Sequence, residues 1–306
     1  MMDPVTRLVD LLRPKALLWK HMRGRGDWAW RFPADAGVVF GLVVEGNCRF
    51  EHPSLGAQAM GPGDSLLMAA PPSWAMRGGD PTRLVDFGPA AVEEPETESS
   101  CDAKPVTKIV GGHFEFCATN ADLLVKFLTP GVHLVRACDR GSNRLGKVLS
   151  MIDEEVSSYQ PGRDAMLNRL LEIVLIELLR APPEKGGELR SGMLAGLADS
   201  RIALAMKNFH AAIDRDWTVD VLARCAGMSR SNFYRRFNQL VGEPPMTYVL
   251  NWRMAFAKDA LRHSGRSLEQ IALDTGYGSA SAFSTAFART VGRSPAKFAK
   301  DAKADV

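Results

Sequence analysis

TVDVLARCAGMSRSNFYRRFNQLVGEPP, residues 218–245, is answered further along the chain by SLEQIALDTGYGSASAFSTAFARTVGRSP, residues 267–295. Leu222, Ala223 and Gly227 align with Ile271, Ala272 and Gly276 at an offset of 49. Ser229, Phe233, Phe237, Val241, Gly242 and Pro245 align with Ser279, Phe283, Phe287, Val291, Gly292 and Pro295 at 50, so the second copy has one more residue in its turn. Each copy reads as helix, tight turn, helix. Thr218 and Ser267 stand where a side-chain oxygen caps the first helix, and Gln270 completes the form of a capping box. Gly227 and Gly276 suit the left-handed residue that ends it. Ser229 and Ser279 can then cap the second helix, Gly242 and Gly292 close it, and the following prolines prevent resumption. The pattern is a helix-turn-helix written twice.

Helical periodicity divides the faces of the second helix. Phe233, Phe237 and Leu240 fall at i, i+4 and i+7 and face the core. Ser231, Tyr234, Arg235 and Asn238 fall opposite them, forming a polar, cationic face of the kind that reads base edges in a major groove. Arg230 and Arg236 flank it and suit phosphate contacts. In the second copy the outward set is Ser281, Ser284, Thr285 and Ala288, with Arg289 nearby for phosphate. This face is smaller and uncharged, so methyl contacts, hydroxyl bonds and DNA shape should carry more of its readout. Between the copies PPMTYVLNWRMAFAKDALRHS predicts one long helix, about 24 Å for about 16 residues, which would hold the two units at a fixed spacing.

The wider chain agrees with a polyanion partner for this half. Residues 1–200 carry 22 Lys/Arg against 26 Asp/Glu, whereas residues 201–306 carry 16 against 9. The whole basic surplus is therefore C-terminal. Cys48, Cys101, Cys117, Cys138 and Cys225 are scattered singly, which reads as reduced thiols in a cytoplasmic protein. No apolar stretch reaches the length of a membrane span, and the charged N-terminus lacks the apolar run of a signal peptide.

Upstream the texture differs. From 38 to 117 short apolar runs alternate with turn residues, which predicts β-strands in a sandwich or small barrel. The acidic run EEPETESS, 93–100, interrupts them as a loop. After about 142 the period becomes helical: Leu167, Leu170, Leu171, Val174, Leu175, Leu178 and Leu179 make one wide apolar stripe. That stripe must pack on the β-domain or on a second copy of the chain. APPEKGGELRSG, 181–192, reads as a linker.

Residues 200–300 closely resemble the doubled helix-turn-helix DNA-binding domain of the AraC/XylS family of bacterial transcription regulators. The resemblance lies in VLARCAGMSRSNFYRRF, in NWRMAFAKDAL, and in IALDTGYGSASAFSTAF with its trailing GRSPAKF. It implies base-reading roles for Ser231, Tyr234 and Arg235 in the first unit, and for Ala280, Ser281, Ser284 and Thr285 in the second. It also implies transcription activation, RNA polymerase as a partner, and an N-terminal domain that senses a signal and dimerises. The first 180 residues resemble, more loosely, the cupin-type sensor of such proteins, through FGLVVEGNCRFEH, GPGDSLLMAAPPSW and VGGHFEF. Metal-binding cupins carry an H-x-H pair and a later His. Here no H-x-H occurs, Gly41 stands at the usual first-strand position and Trp74 at the later one, so no metal or other cofactor is expected. Phe40, Leu42, Trp74 and His113 are the candidates for lining an effector pocket, with core packing as their alternative role.

The expected architecture is α+β: a cupin-like N-terminal β-barrel with a helical extension over 1–185, a linker over 186–198, and an all-α domain of two helix-turn-helix units joined by a long helix over 199–303. The expected function is a DNA-binding regulator controlled by a small-molecule effector, homodimeric through the 142–180 helices. A cupin-type metalloenzyme with an appended DNA-binding domain is the alternative from another class; the missing ligands and the lack of any nucleophile–base constellation weigh against it. A thiol-based oxidant sensor is the third; no cysteine has an evident cationic neighbour pair, which weighs against that.

Overall fold

The computed structural model describes residues 3–35, 37–87, 105–116, 120, 132–136, 144–157, 160–180 and 191–304. The acidic run 93–100, most of the 181–192 segment, Cys101, Cys117 and Cys138 lie outside the described residues. The chain forms two compact units. One comprises residues 14–115 and 130–189, the other residues 1–13, 116–129 and 190–306.

The first unit is built from ten strands among the described residues: β1 Lys15–Arg25, β2 Trp28–Phe32, β3 Val38–Glu45, β4 Cys48–His52, β5 Gly56–Met60, β6 Ser65–Ala69, β7 Trp74–Gly78, β8 Val85–Asp86, β9 Val106–Glu115 and β10 Val132–Val135. They form two five-stranded sheets, ordered β1-β9-β3-β6-β10 and β5-β4-β7-β2-β8. Among the described residues no ladder joins one sheet to the other, so the expected barrel is an open two-sheet sandwich. Every pairing is antiparallel except β2 with the two-residue β8. Val39, Val43, Leu66, Met68 and Ile109 from one sheet meet Phe32, Phe50, Trp74 and Met76 from the other in a single apolar core. The turn from β3 to β4 depends on Gly46, at φ +75°, where a Cβ would lie 2.3 Å from the Val106 carbonyl oxygen. Such a turn admits only glycine without rearrangement.

Helices α2 (Arg144–Ser157) and α3 (Arg163–Arg180) pair with each other, and α3 packs on β1. The stripe read from sequence is the buried face of α3: Leu170, Leu171, Val174, Leu175 and Leu179 are each no more than 3% exposed.

The second unit is helical. It contains α1 (Pro4–Leu12), α4 (Met193–Ala198), α5 (Ser200–Ala211), α6 (Val219–Cys225), α7 (Arg230–Val241), α8 (Pro245–His263), α9 (Leu268–Asp274), α10 (Ala280–Val291) and α11 (Pro295–Ala304). Two boundaries differ from expectation. Residues 193–198, inside the expected linker, form α4, whose Met193, Leu194 and Ala195 are buried and which packs on α5 and α7. Gly196 permits the approach, since a Cβ there would lie 2.8 Å from Val241. The other difference is α1, expected in the N-terminal domain, which folds with the helical unit against α5 and α8. Its Leu8, Leu11 and Leu12 are buried, and Arg13 at its C-cap pairs with Asp259 at 3.3 Å.

Candidate nucleic-acid interface

The two copies of the repeat fold alike. Thr218 Oγ1 accepts from the Val221 N–H at 3.2 Å, and Ser267 Oγ accepts from Gln270 N–H at 3.2 Å, satisfying an otherwise unpaired donor at each helix start. Gly227 and Gly276 lie at φ +61° and +77°, and Gly242 and Gly292 at +83° and +81°. Ser279 caps α10 through the Ala282 N–H at 3.2 Å, whereas Ser229 makes no side-chain cap bond at α7.

Behind each recognition helix stands a phenylalanine pair. Phe233 and Phe237 are buried with ring centroids 5.5 Å apart, and Phe283 and Phe287 repeat the same separation. The first pair continues into Tyr248 on α8, which bonds His210 Nε2 at 2.7 Å, and His210 in turn meets the Trp252 ring edge-on. Burial foremost, and then the Arg7 charge, push the His210 imidazole down to about 3, so the ring is neutral. The second pair forms its own core with Met254, Ile271, Ala272 and Phe298. The two heads are therefore separately cored on opposite ends of α8, which at 19 residues is about 28 Å long.

Opposite the phenylalanines of α7, Ser231, Tyr234, Arg235 and Asn238 are all exposed. Tyr234 is 45% exposed, a large aromatic surface left in solvent. The Arg235 guanidinium donates to Asn232 Oδ1 at 3.2 Å, an in-helix contact that leaves its other donors free. On α10, Ser281, Thr285 and Arg289 are exposed, and Ala280 and Ser284 half-buried. The hydroxyls of Ser284 and Thr285 donate back to the Ala280 and Ser281 carbonyls at 2.7 and 3.1 Å. What they present outward is acceptor oxygen and, for Thr285, a methyl group.

Of the three arginines read as phosphate contacts, one is otherwise engaged. Arg236 donates through Nε to Asp199 Oδ2 at 2.7 Å and through a terminal nitrogen to the same oxygen. Asp199 is also the N-cap of α5, accepting from the Arg201 and Ile202 N–H groups. Burial alone would raise the Asp199 carboxyl, but the bonds from Ile202 and Arg236 outweigh it and hold it below the ordinary range. Arg236 thus bolts α7 to the start of α5. Arg230 pairs with Asp220 at 3.3 Å, both side chains well exposed, an arrangement that solvent screens and a phosphate can replace. Arg289 remains open to solvent.

Periodicity does not single out Arg253. From α8 it donates to the Ile213 carbonyl at 3.2 and 3.0 Å and to the Arg215 carbonyl at 2.7 Å, tying the loop after α5 to the middle of the strut. A Cβ at Gly276 would lie 2.4 Å from its guanidinium. The turn of the second head is therefore built against the loop of the first.

The effector candidates do not converge. Side chains alternate faces along a strand. Trp74 points into the inter-sheet core with Val39 and Val43, and His113, paired opposite Val39, lies on that same side of the sheet. Phe40 and Leu42 point to the other face, where Phe40 meets Phe114 at 4.8 Å. Cys48 is buried and its thiol is pushed up to about 12 by burial, helped by Asp64, which removes it as a thiolate.

A family model described as cupin matches residues 3–182, and one described as helix-turn-helix domain matches residues 222–301. Over 300 residues, 98% of this chain and 98% of the relative, the sequence is 33% identical to a Streptomyces lividans protein named as an AraC-like transcription regulator. The chain belongs to the AraC-like transcription regulators. It is a DNA-binding transcription regulator with an N-terminal cupin domain. A Streptomyces antibioticus protein named in the same way is 30% identical over 98% of this chain and 99% of its own. Among solved structures, the DNA-binding domain of AdpA in complex with a target DNA is 29% identical, covering 35% of this chain and 96% of that one, with a TM-score of 0.34. No described helix of this regulator is long and apolar enough to cross a membrane.

Proposed function

We propose that this regulator reads two successive major grooves with α7 and α10, using Ser231, Tyr234, Arg235 and Asn238 in one and Ala280, Ser281, Ser284 and Thr285 in the other. The observation that carries the reading is the duplicated division of faces, an exposed polar edge over a buried phenylalanine pair, held at two ends of one stiff helix. Arg230 and Arg289 take phosphates; Arg236 holds the first head together. Acceptor oxygens at Ser284 and Thr285 favour the exocyclic amino groups of adenine and cytosine, and the Thr285 methyl favours thymine. The N-terminal domain works by binding rather than catalysis, in the cytoplasm. It takes a small-molecule signal between its sheets, where the buried indole N–H groups of Trp28 and Trp74 have no acceptor among the described residues. A homodimer forms through the 142–180 helices, supported by exposed Met151, Met166 and Ile173 on α2 and α3, and the bound dimer activates transcription by contacting RNA polymerase. Binding of the full chain and of Arg235→Ala to duplexes selected from a random pool tests the reading. Equal affinity and equal base preference for the two proteins would reject it.

A further inference from the structure

A cavity of about 450 Å³ lies wholly within the helical unit, with the N-terminal helix α1 as one wall and α8, α9 and the loop after α5 as the others. Its size falls in the range of small-molecule sites, roughly 300–1,000 Å³. From α1 it receives Arg7, Asp10 and Leu11, spaced i, i+3 and i+4 on one helical face. Leu11, Ile213 and Ile271 are buried and give it an apolar floor.

The charges on its wall fall into two groups. Asp259 is answered by Arg13 and His263, and Asp274 by Arg266 at 2.6 Å and Gln270 at 2.8 Å. Arg7 and Asp10 act on each other through charge alone, as do Asp214 and Arg253, with no close ion pair in either case among the described residues. The Arg7 guanidinium lies over the Phe256 ring, 5.0 Å from its centroid, and its buried Nε has no hydrogen-bond partner among the described residues. Asp10 and Asp214 are exposed at the rim and, among the described residues, hold no hydrogen bond or ion pair. A partly desolvated guanidinium calls for an anion, and two open carboxylates call for a cation.

We infer that this cavity binds a small zwitterion of the amino-acid class, its carboxylate toward Arg7 and its ammonium toward Asp10 and Asp214. A simple cation would be opposed by Arg7, and a simple anion by the two aspartates. A neutral apolar molecule would offer none of the three a hydrogen-bond partner. The ligand would touch both α1 and α9, so its occupancy holds the N-terminal helix against the second helix-turn-helix unit.

The test uses the full chain and a panel of proteinogenic L-amino acids, screened by thermal shift and then by titration calorimetry. For each binder, the decarboxylated amine and the deaminated acid of the same side chain are measured beside it. At least one amino acid should bind, with its amine and its acid each weakened about tenfold or more, the equivalent of a lost charge-assisted hydrogen bond. Asp10→Asn and Asp214→Asn should weaken it similarly. These two carry the test because they sit at the exposed rim, whereas Arg7→Gln also removes packing on Phe256. The inference is overturned if no amino acid of the panel binds, if amine or acid binds as well as the zwitterion, or if both rim variants bind unchanged. Operator affinity of the rim variants without amino acid should equal that of the parent, so failure here leaves the DNA reading standing.

Discussion

Phe237→Ala should collapse the first DNA-binding head and leave the second intact. The Phe237 ring is 2% exposed and sits 5.5 Å from Phe233 and 5.4 Å from Tyr248, with the Tyr248 contact edge-on. Its burial is worth about 1.5–3 kcal/mol, and each aromatic pair adds roughly 0.5–1.5 kcal/mol beyond area. Truncation therefore costs about 3–5 kcal/mol once the unfilled cavity is counted. Phe287→Ala removes the equivalent ring from the second head, where Phe283 and Phe298 lie 5.5 and 5.6 Å away, and should cost a similar amount. Because each head has its own core, the two losses should be local. Peptide-level hydrogen exchange reads them: Phe237→Ala should deprotect α7 more than α10, and Phe287→Ala the reverse. Equal deprotection of both recognition helices in either variant, or none in either, would refute the separately cored arrangement.

Arg235→Ala should weaken specific binding by about 1–3 kcal/mol and relax base choice at one groove, measured by competition among operator variants. Arg236→Ala should lower stability by about 0.5–1 kcal/mol, the exposed ion pair being screened, and leave the salt dependence of DNA binding unchanged; a shallower salt slope would return Arg236 to the phosphate contacts. Arg289→Ala should instead reduce that slope by about one. His210 has its folded-state pKa depressed to about 3 against an unfolded value of about 6.5. The unfolded chain binds the extra proton across that window, so this contribution to stability is present above about pH 6.5 and lost as pH falls toward about 3. His210→Gln should flatten the acid limb of denaturant melts taken over that window, and an unchanged limb would remove His210 as its source.

The doubled unit was legible because its information is local. Caps, left-handed glycines and phenylalanines four residues apart recur within one helical turn or two of each other. What sequence does not show depends on distant partners. Arg236 reads as an outward cation, and the structure adds that Asp199, 37 residues earlier, accepts two of its donors. The hexamer MLAGLA is too short to show a period and reads as linker; α5 and α7 supply the surface that buries it as α4. The same holds for α1, whose apolar face is matched by helices about 200 residues away. In the sandwich, sequence located the strands but not which face each residue served. Strand phase separates Phe40 and Leu42 from Trp74 and His113, and only the register of β3 against β9 reveals that division.

Methylation interference on an operator selected by the full chain bears most directly on the two-headed grip. Interference at guanine N7, which lies on the major-groove edge, should fall in two clusters on one face of the duplex, about 34 Å apart along the axis. Substitutions in α7 should erase one cluster and substitutions in α10 the other. A single cluster that both sets of substitutions weaken equally would contradict the account.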